Sequence, residues 1–250
     1  MLYKNLVDIC QRLEETTKRL EKTSIIAGLL KDVPNEEMQR IILLLQGKIF
    51  PSYDERKIGV ANRLIIKALN TATGIKVEDI ENEWKRTGDL GVTAENLITK
   101  KKQDTLFYEP LTVSKVFLNL RKIAELQGDK SVEKKVQCIS ELLTSANPSE
   151  ARYIVRTVLE ELRVGIGEGI LRDGIIWAFF KDKIGIDYNQ KKQDIEIKDR
   201  ESYNKFLSVI QNAYDMTNDL GSVAEISKSK GLIGLENVEL IVGKPIKVML

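Results

Sequence analysis

Residues 147–162 read NPSEARYIVRTVLEEL, and this stretch decides the fold class. Asn147 is a helix N-cap type, and Pro148 occupies the first helical position, where a missing N–H costs nothing. Ala151, Ile154, Val155, Val158, Leu159 and Leu162 then return at helical spacing and form one apolar face. Leu6, Ile9, Cys10, Leu13 and Leu20 make a second such stripe. Met38, Ile41, Ile42 and Leu45 make a third, and Val113, Val116, Phe117, Leu120 and Ile123 a fourth. Further helix starts fall at Thr112 and Ser131. Strand-like alternation is nearly absent before residues 238–250, VELIVGKPIKVML, which read as an extended tail. The expected fold is all-α, a multi-helix domain with a short extended C-terminal tail.

The chain has 250 residues, 42% of them apolar, enough for a substantial core. Lys plus Arg number 39 and Asp plus Glu 37, so the formal charge of +2 permits a nucleic-acid role only through a local basic surface. The absence of histidine excludes Ser-His-Asp and Cys-His catalysis and histidine-ligated metals. Cys10 and Cys138 are too few and too far apart for a zinc finger or a disulfide framework. The amphipathic, charged start is unlike a signal peptide, and no apolar run approaches the ~18 residues of a membrane helix. A cytoplasmic protein with no metal of its own and no membrane partner is expected.

An internal repeat organises the chain. Leu29-Leu30 before Pro34 matches Leu142-Leu143 before Pro148, and the Met38 stripe recurs 113 residues later from Ala151. Lys57-Ile58-Gly59-Val60-Ala61 matches Arg163-Val164-Gly165-Ile166-Gly167. Thr87-Gly88-Asp89-Leu90-Gly91 matches Thr217-Asn218-Asp219-Leu220-Gly221. Two pseudo-symmetric halves follow, about 1–110 and 111–231, together forming a domain over 1–231, with 232–250 as linker. The first copy carries extra residues around Gly47 to Glu55, and the second carries extra residues, including a helix, between about Lys181 and Lys205.

The repeated turn (basic, apolar, Gly, apolar, small) precedes a helical run each time. Its glycines serve either tight helix packing or close approach of an anion to backbone N–H groups at a helix N terminus. Arg163, Gly165 and Gly167 form one candidate anion site, and Lys57, Gly59 and Ala61 the other. Asp89 and Asp219 are placed to cap helices rather than to hold metal. Lys101, within a three-lysine run, serves either solvation or a phosphate backbone. Gln103, Leu106 and Phe107 belong to an apolar loop that either pins itself to the body or protrudes as a docking plug. Gly165-Ile166-Gly167-Glu168-Gly169 lacks the preceding strand that a dinucleotide loop requires.

Gly88-Asp89-Leu90-Gly91 with Ala94-Glu95-Asn96, Leu111-Thr112-Val113 with Val116-Phe117, Glu150-Ala151-Arg152-Tyr153-Ile154, and Leu162-Arg163-Val164-Gly165-Ile166-Gly167-Glu168, in that order, resemble the N-terminal DNA-binding domain of ATP-dependent DNA ligases. The archaeal replicative type is most similar, and the likeness runs from the first helix to about Gly231. It implies an all-α domain that grips nicked duplex DNA by minor-groove and phosphate contacts in replication, repair and recombination. Arg163, Gly165 and Gly167 would face one strand, with Lys57, Gly59 and Ala61 as the pseudo-symmetric set. Gln103, Leu106 and Phe107 fit a Gln-x-x-Leu-Phe pattern for docking a sliding clamp.

Ligases of this family attack ATP with the lysine of a Lys-x-Asp-Gly motif, which this chain lacks. Leu171-Arg172-Asp173-Gly174 is the nearest lookalike, with leucine in place of the nucleophile. Val242-Gly243-Lys244-Pro245-Ile246 resembles the lead-in to a catalytic domain. The resemblance therefore implies a ligase fragment or a split ligase, monomeric, whose partners are nicked DNA, a sliding clamp and the catalytic domains. ATP and Mg would belong to those domains, no cofactor to this chain, and no ligation is expected of it alone. The alternative is an α-helical scaffold or clamp adaptor.

Overall fold

The computed structural model describes residues 1–100 and 109–240. Among them are twelve helices: α1 (Tyr3–Glu15), α2 (Arg19–Asp32), α3 (Asn35–Leu45), α4 (Asn62–Thr73), α5 (Val77–Thr87), α6 (Leu90–Thr99), α7 (Val113–Glu125), α8 (Ser131–Ser145), α9 (Pro148–Val158), α10 (Glu168–Ile184), α11 (Arg200–Thr217) and α12 (Leu220–Glu236). The all-α expectation holds. The Asn147 side chain accepts from the Glu150 N–H while the Glu150 carboxylate accepts from the Asn147 N–H, a reciprocal cap that starts α9 behind Pro148. Thr112 caps α7 through the Lys115 N–H. Left-handed residues at Gly74, Gly88 and Gly185 end α4, α5 and α10.

Two expectations need correction. The first stripe is interrupted: Leu6, Cys10 and Leu13 are buried on α1, but the helix stops at Glu15 and Leu20 belongs to α2. The extra residues of the second copy form no helix of their own. They make a hairpin, β1 (Ile186–Asn189) antiparallel to β2 (Asp194–Ile197), with Ile186 opposite Ile197 and Tyr188 opposite Ile195. The period there is two: Ile186 is buried and Tyr188 half-buried, while Asp187 and Asn189 are exposed. The Tyr188 ring lies 5.5 Å from that of Trp177 on α10. Four-residue strands are too short for their alternation to stand out against neighbouring helices.

The chain forms two compact units, 1–8, 47–49 and 56–163 in the first, and 9–46, 50–55 and 164–250 in the second. In the first, α6 packs on α9 and α4 on α8. Its core holds Ile65, Leu69, Ala94, Ile139, Leu143, Ile154 and Val158. In the second, α10 packs on α2 and α12 on α3, around Ile26, Leu30, Ile41, Ile42, Ile175 and Val223. Each Val, Leu or Ile among them contributes about 1.5–3 kcal/mol through burial. Each unit thus takes helices from both repeat copies. α12 continues past Gly231, where the backbone breaks from helical geometry, to Glu236. Among the described residues no helix is long and apolar enough to cross a membrane.

Candidate nucleic-acid interface

In the first unit, the turn before α4 alternates outward and inward residues: Lys57 is exposed, Ile58 buried, Gly59 exposed, and Ala61 exposed as the N-cap. Gly59 sits at φ +63°, where a side chain is strained. The Ile58 N–H donates to the Glu160 carboxylate at 3.3 Å. Lys135 of α8 donates from Nζ to the carbonyl of Ile58 at 3.0 Å and to that of Gly59 at 3.4 Å. Ala61 offers no side-chain cap, so backbone N–H groups of the first turn of α4 lack that partner.

In the second unit the same construction precedes α10. Val164 is buried between exposed neighbours, and Gly165 sits at φ +64°. Lys22 of α2 donates from Nζ to the carbonyls of Val164 (2.7 Å) and Gly165 (2.9 Å). This lysine is only 6% exposed, and burial holds its pKa below the ordinary lysine value. A Cβ on Gly165 would stand 2.7 Å from the ammonium nitrogen. Gly167 is the N-cap of α10, again without a side-chain cap, and the space a Cβ would fill there is open. Glu168 follows, and the Tyr214 hydroxyl donates to its carboxylate at 2.6 Å. That bond and burial both push the Tyr214 pKa up, burial more.

Arg163 is the last residue of the first unit, at φ +60° and with a side chain 51% exposed. Its guanidinium pairs with Glu161 at 2.6 Å and with Asp89 at 3.2 Å. Asp89 caps α6 through the N–H groups of Gly91 and Val92, as Asp219 caps α12 through those of Gly221 and Ser222. Each carboxylate spends its other oxygen on a packed helix: Asp89 accepts from Arg156 of α9 at 2.8 Å, and Asp219 from Gln39 of α3 at 2.6 Å.

Lys57, Gly59 and Ala61 therefore share one exposed turn, and Gly165 and Gly167 share another. Lys101, Gln103, Leu106 and Phe107 lie outside the described residues. Sequence reasoning missed Lys22 and Lys135. Their signal was present, since they stand 113 residues apart, the same offset that relates Leu29-Leu30 to Leu142-Leu143.

The described residues hold no cluster of three or more metal-ligating side chains. Leu171-Arg172-Asp173-Gly174 lies within α10, where Leu171 is buried, Asp173 pairs with Arg19 at 2.8 Å, and Gly174 admits Ile26 of α2 to 2.5 Å from the position of a Cβ. Burial, and secondarily Glu14, pushes the Cys10 thiol up to about 12, far from a nucleophilic thiolate.

The fold and these turns define a predominantly helical protein with two lysine-held glycine turns, each leading into a helix whose N-cap residue provides no side-chain cap. The model of the family described as DNA ligase N terminus matches residues 2–176, and the chain belongs to that family. It is 40% identical over 250 residues to the DNA ligase of Methanobrevibacter smithii, covering all of this chain and 41% of that protein. Similarity to the DNA ligase of Thermococcus fumicolans is 39%, over all of this chain and 40% of that protein. The DNA ligase of Nanoarchaeum equitans is 36% identical over the same shares. The chain spans about two fifths of the length of these archaeal relatives.

Proposed function

We propose that this chain is the DNA-binding portion of an ATP-dependent DNA ligase and grips nicked duplex DNA through its phosphate backbone. The observation that carries this reading is the recurrence of one device: a positive-φ glycine, two carbonyls drawn to a lysine, and an uncapped helix start. A helix N terminus presents N–H groups and the positive end of its dipole, which suits a phosphate oxygen. Arg163, Gly165 and Gly167 would take one backbone, and Lys57, Gly59 and Ala61 the other. Such contacts hold a duplex without reading its bases, as sealing nicks at any sequence requires.

Adenylate transfer would fall to catalytic domains of the same ligase, together with ATP and Mg, and this chain would not ligate alone. Lys101 would add a phosphate contact. Gln103, Leu106 and Phe107 would dock a sliding clamp, whose tether raises the effective concentration of ligase on DNA. The chain would act as a cytoplasmic monomer.

Fluorescence anisotropy with nicked and intact duplexes over a salt series tests the reading. Binding should weaken steeply with salt, and Arg163→Ala or Lys57→Ala should each lower the logarithmic slope by about one. Folded protein that shows no salt-dependent binding would favour a scaffold or clamp-adaptor role instead.

A further inference from the structure

The lysines behind the two turns do something that the turns themselves cannot. A glycine with positive φ permits many geometries, and the free carbonyls of a surface turn would as readily face an incoming phosphate, which they repel. In both turns, two consecutive carbonyls, of Ile58 and Gly59 and of Val164 and Gly165, converge on a single ammonium nitrogen. A trans peptide sets its N–H antiparallel to its C=O. Drawing those carbonyls to the lysine therefore turns the N–H groups of Gly59 and Val60, and of Gly165 and Ile166, the opposite way. Successive N–H groups around a left-handed residue form a concavity that receives an anion.

We propose that Lys22 and Lys135 are positioning residues for phosphate binding, each clamping the carbonyls of its turn so that paired backbone N–H groups face the DNA backbone. The inference rests on the DNA-binding reading and assigns these lysines no contact with DNA. The two clamps differ in grade. Lys22 is buried and bonds at 2.7 and 2.9 Å, whereas Lys135 is half-buried and bonds at 3.0 and 3.4 Å. The turn before α10 is accordingly the more preorganised of the two. The requirement for glycine follows the same order: Gly59 needs only its φ, whereas a Cβ on Gly165 would also meet the ammonium.

The test uses the 250-residue chain. Lys135→Met removes the looser clamp at a half-buried site, with its fold checked by circular dichroism, and Lys135→Arg keeps the charge. A guanidinium holds its donors in a rigid planar fork on a longer side chain, and so does not place a donor nitrogen where the compact, rotatable ammonium stood. Anisotropy with a nicked duplex at low salt should show Lys135→Met weakened about fivefold, the equivalent of one net hydrogen bond, with Lys135→Arg failing to restore affinity. In 15N-labelled protein at saturating DNA, the Gly59 and Val60 amide resonances should shift in the wild type and shift less in Lys135→Met. Lys22→Met should weaken binding more, with circular dichroism confirming its fold. Wild-type affinity in Lys135→Met, or full rescue by Lys135→Arg, overturns the clamp while leaving DNA binding intact, provided Arg163→Ala still weakens it. A wild type that binds no DNA overturns both.

Discussion

The Asp89 carboxylate links three parts of the first unit. One oxygen caps α6, and the other accepts from Arg156, whose side chain is 5% exposed, and from the more exposed Arg163. Burial alone would raise its pKa, but the Arg156 hydrogen bond and charge, with the N–H groups of Val92 and Gly91, outweigh burial and hold it below the ordinary 3.8. The folded protein thus binds this proton less readily than the unfolded chain. Its contribution to stability is complete above pH 3.8 and drains away as pH falls from there through the lowered value. Asp89→Asn keeps a cap acceptor but removes the charge beside Arg156, so urea denaturation at pH 7 should show a loss of about 3 kcal/mol, with a flatter pH dependence below pH 4. Asp219→Asn should cost only about 1 kcal/mol, because its cross-helix partner is the neutral Gln39. The two caps were legible from Asp-Leu-Gly alone, whereas Arg156 was not, since it stands 67 residues away and reads locally as one more polar residue of a helix.

The glycine after each cap acts between elements. On Gly91 of α6, a Cβ would lie 2.8 Å from the Arg152 carbonyl oxygen and 2.7 Å from Arg156 Cγ, both of α9. On Gly221 of α12, it would lie 2.9 Å from Gln39 Cα of α3. Alanine gains about 1 kcal/mol over glycine in helix propensity, but forcing apart packed backbones costs about 1–3 kcal/mol. Overpacking should win because a backbone atom cannot swing aside. Gly91→Ala and Gly221→Ala should therefore each lower the thermal midpoint measured by circular dichroism, and an unchanged or raised midpoint in both would show that these helices separate without cost. Close approach at these glycines was readable in sequence, because Gly recurs two residues after each capping Asp. The hairpin between α10 and α11 was not, because its four-residue strands carry too little alternation and Tyr188 meets Trp177 of α10, a contact that no local period announces.

At the scale of the molecule, the repeat and the compact units divide the chain differently. α4 and α6 belong to the first repeat copy, yet they pack on α8 and α9 of the second. α10 and α12 belong to the second copy, yet they pack on α2 and α3 of the first. The matched motifs that mark the two copies are read from sequence because they keep their order. The exchanged pairing is not, because a face such as Ile65 and Leu69 fits an equivalent partner helix from either copy, and only the fold decides which one is used. The exchange has a direct consequence for folding. A fragment of residues 1–110 lacks the helices that cover α4 and α6, and a fragment of residues 111–250 lacks those that cover α10 and α12. Each would expose core side chains worth about 1.5–3 kcal/mol apiece, more than a small domain can lose from a net stability of about 5–15 kcal/mol. Each fragment alone should give a weakly helical circular dichroism spectrum with no cooperative melt. Mixed in equal amounts, they should recover helicity and a single sharp transition, since every missing partner helix is then present on the other chain. Cooperative melting of either fragment by itself would mean that a repeat copy can close on its own helices, and that the exchanged pairing is one of two accessible arrangements.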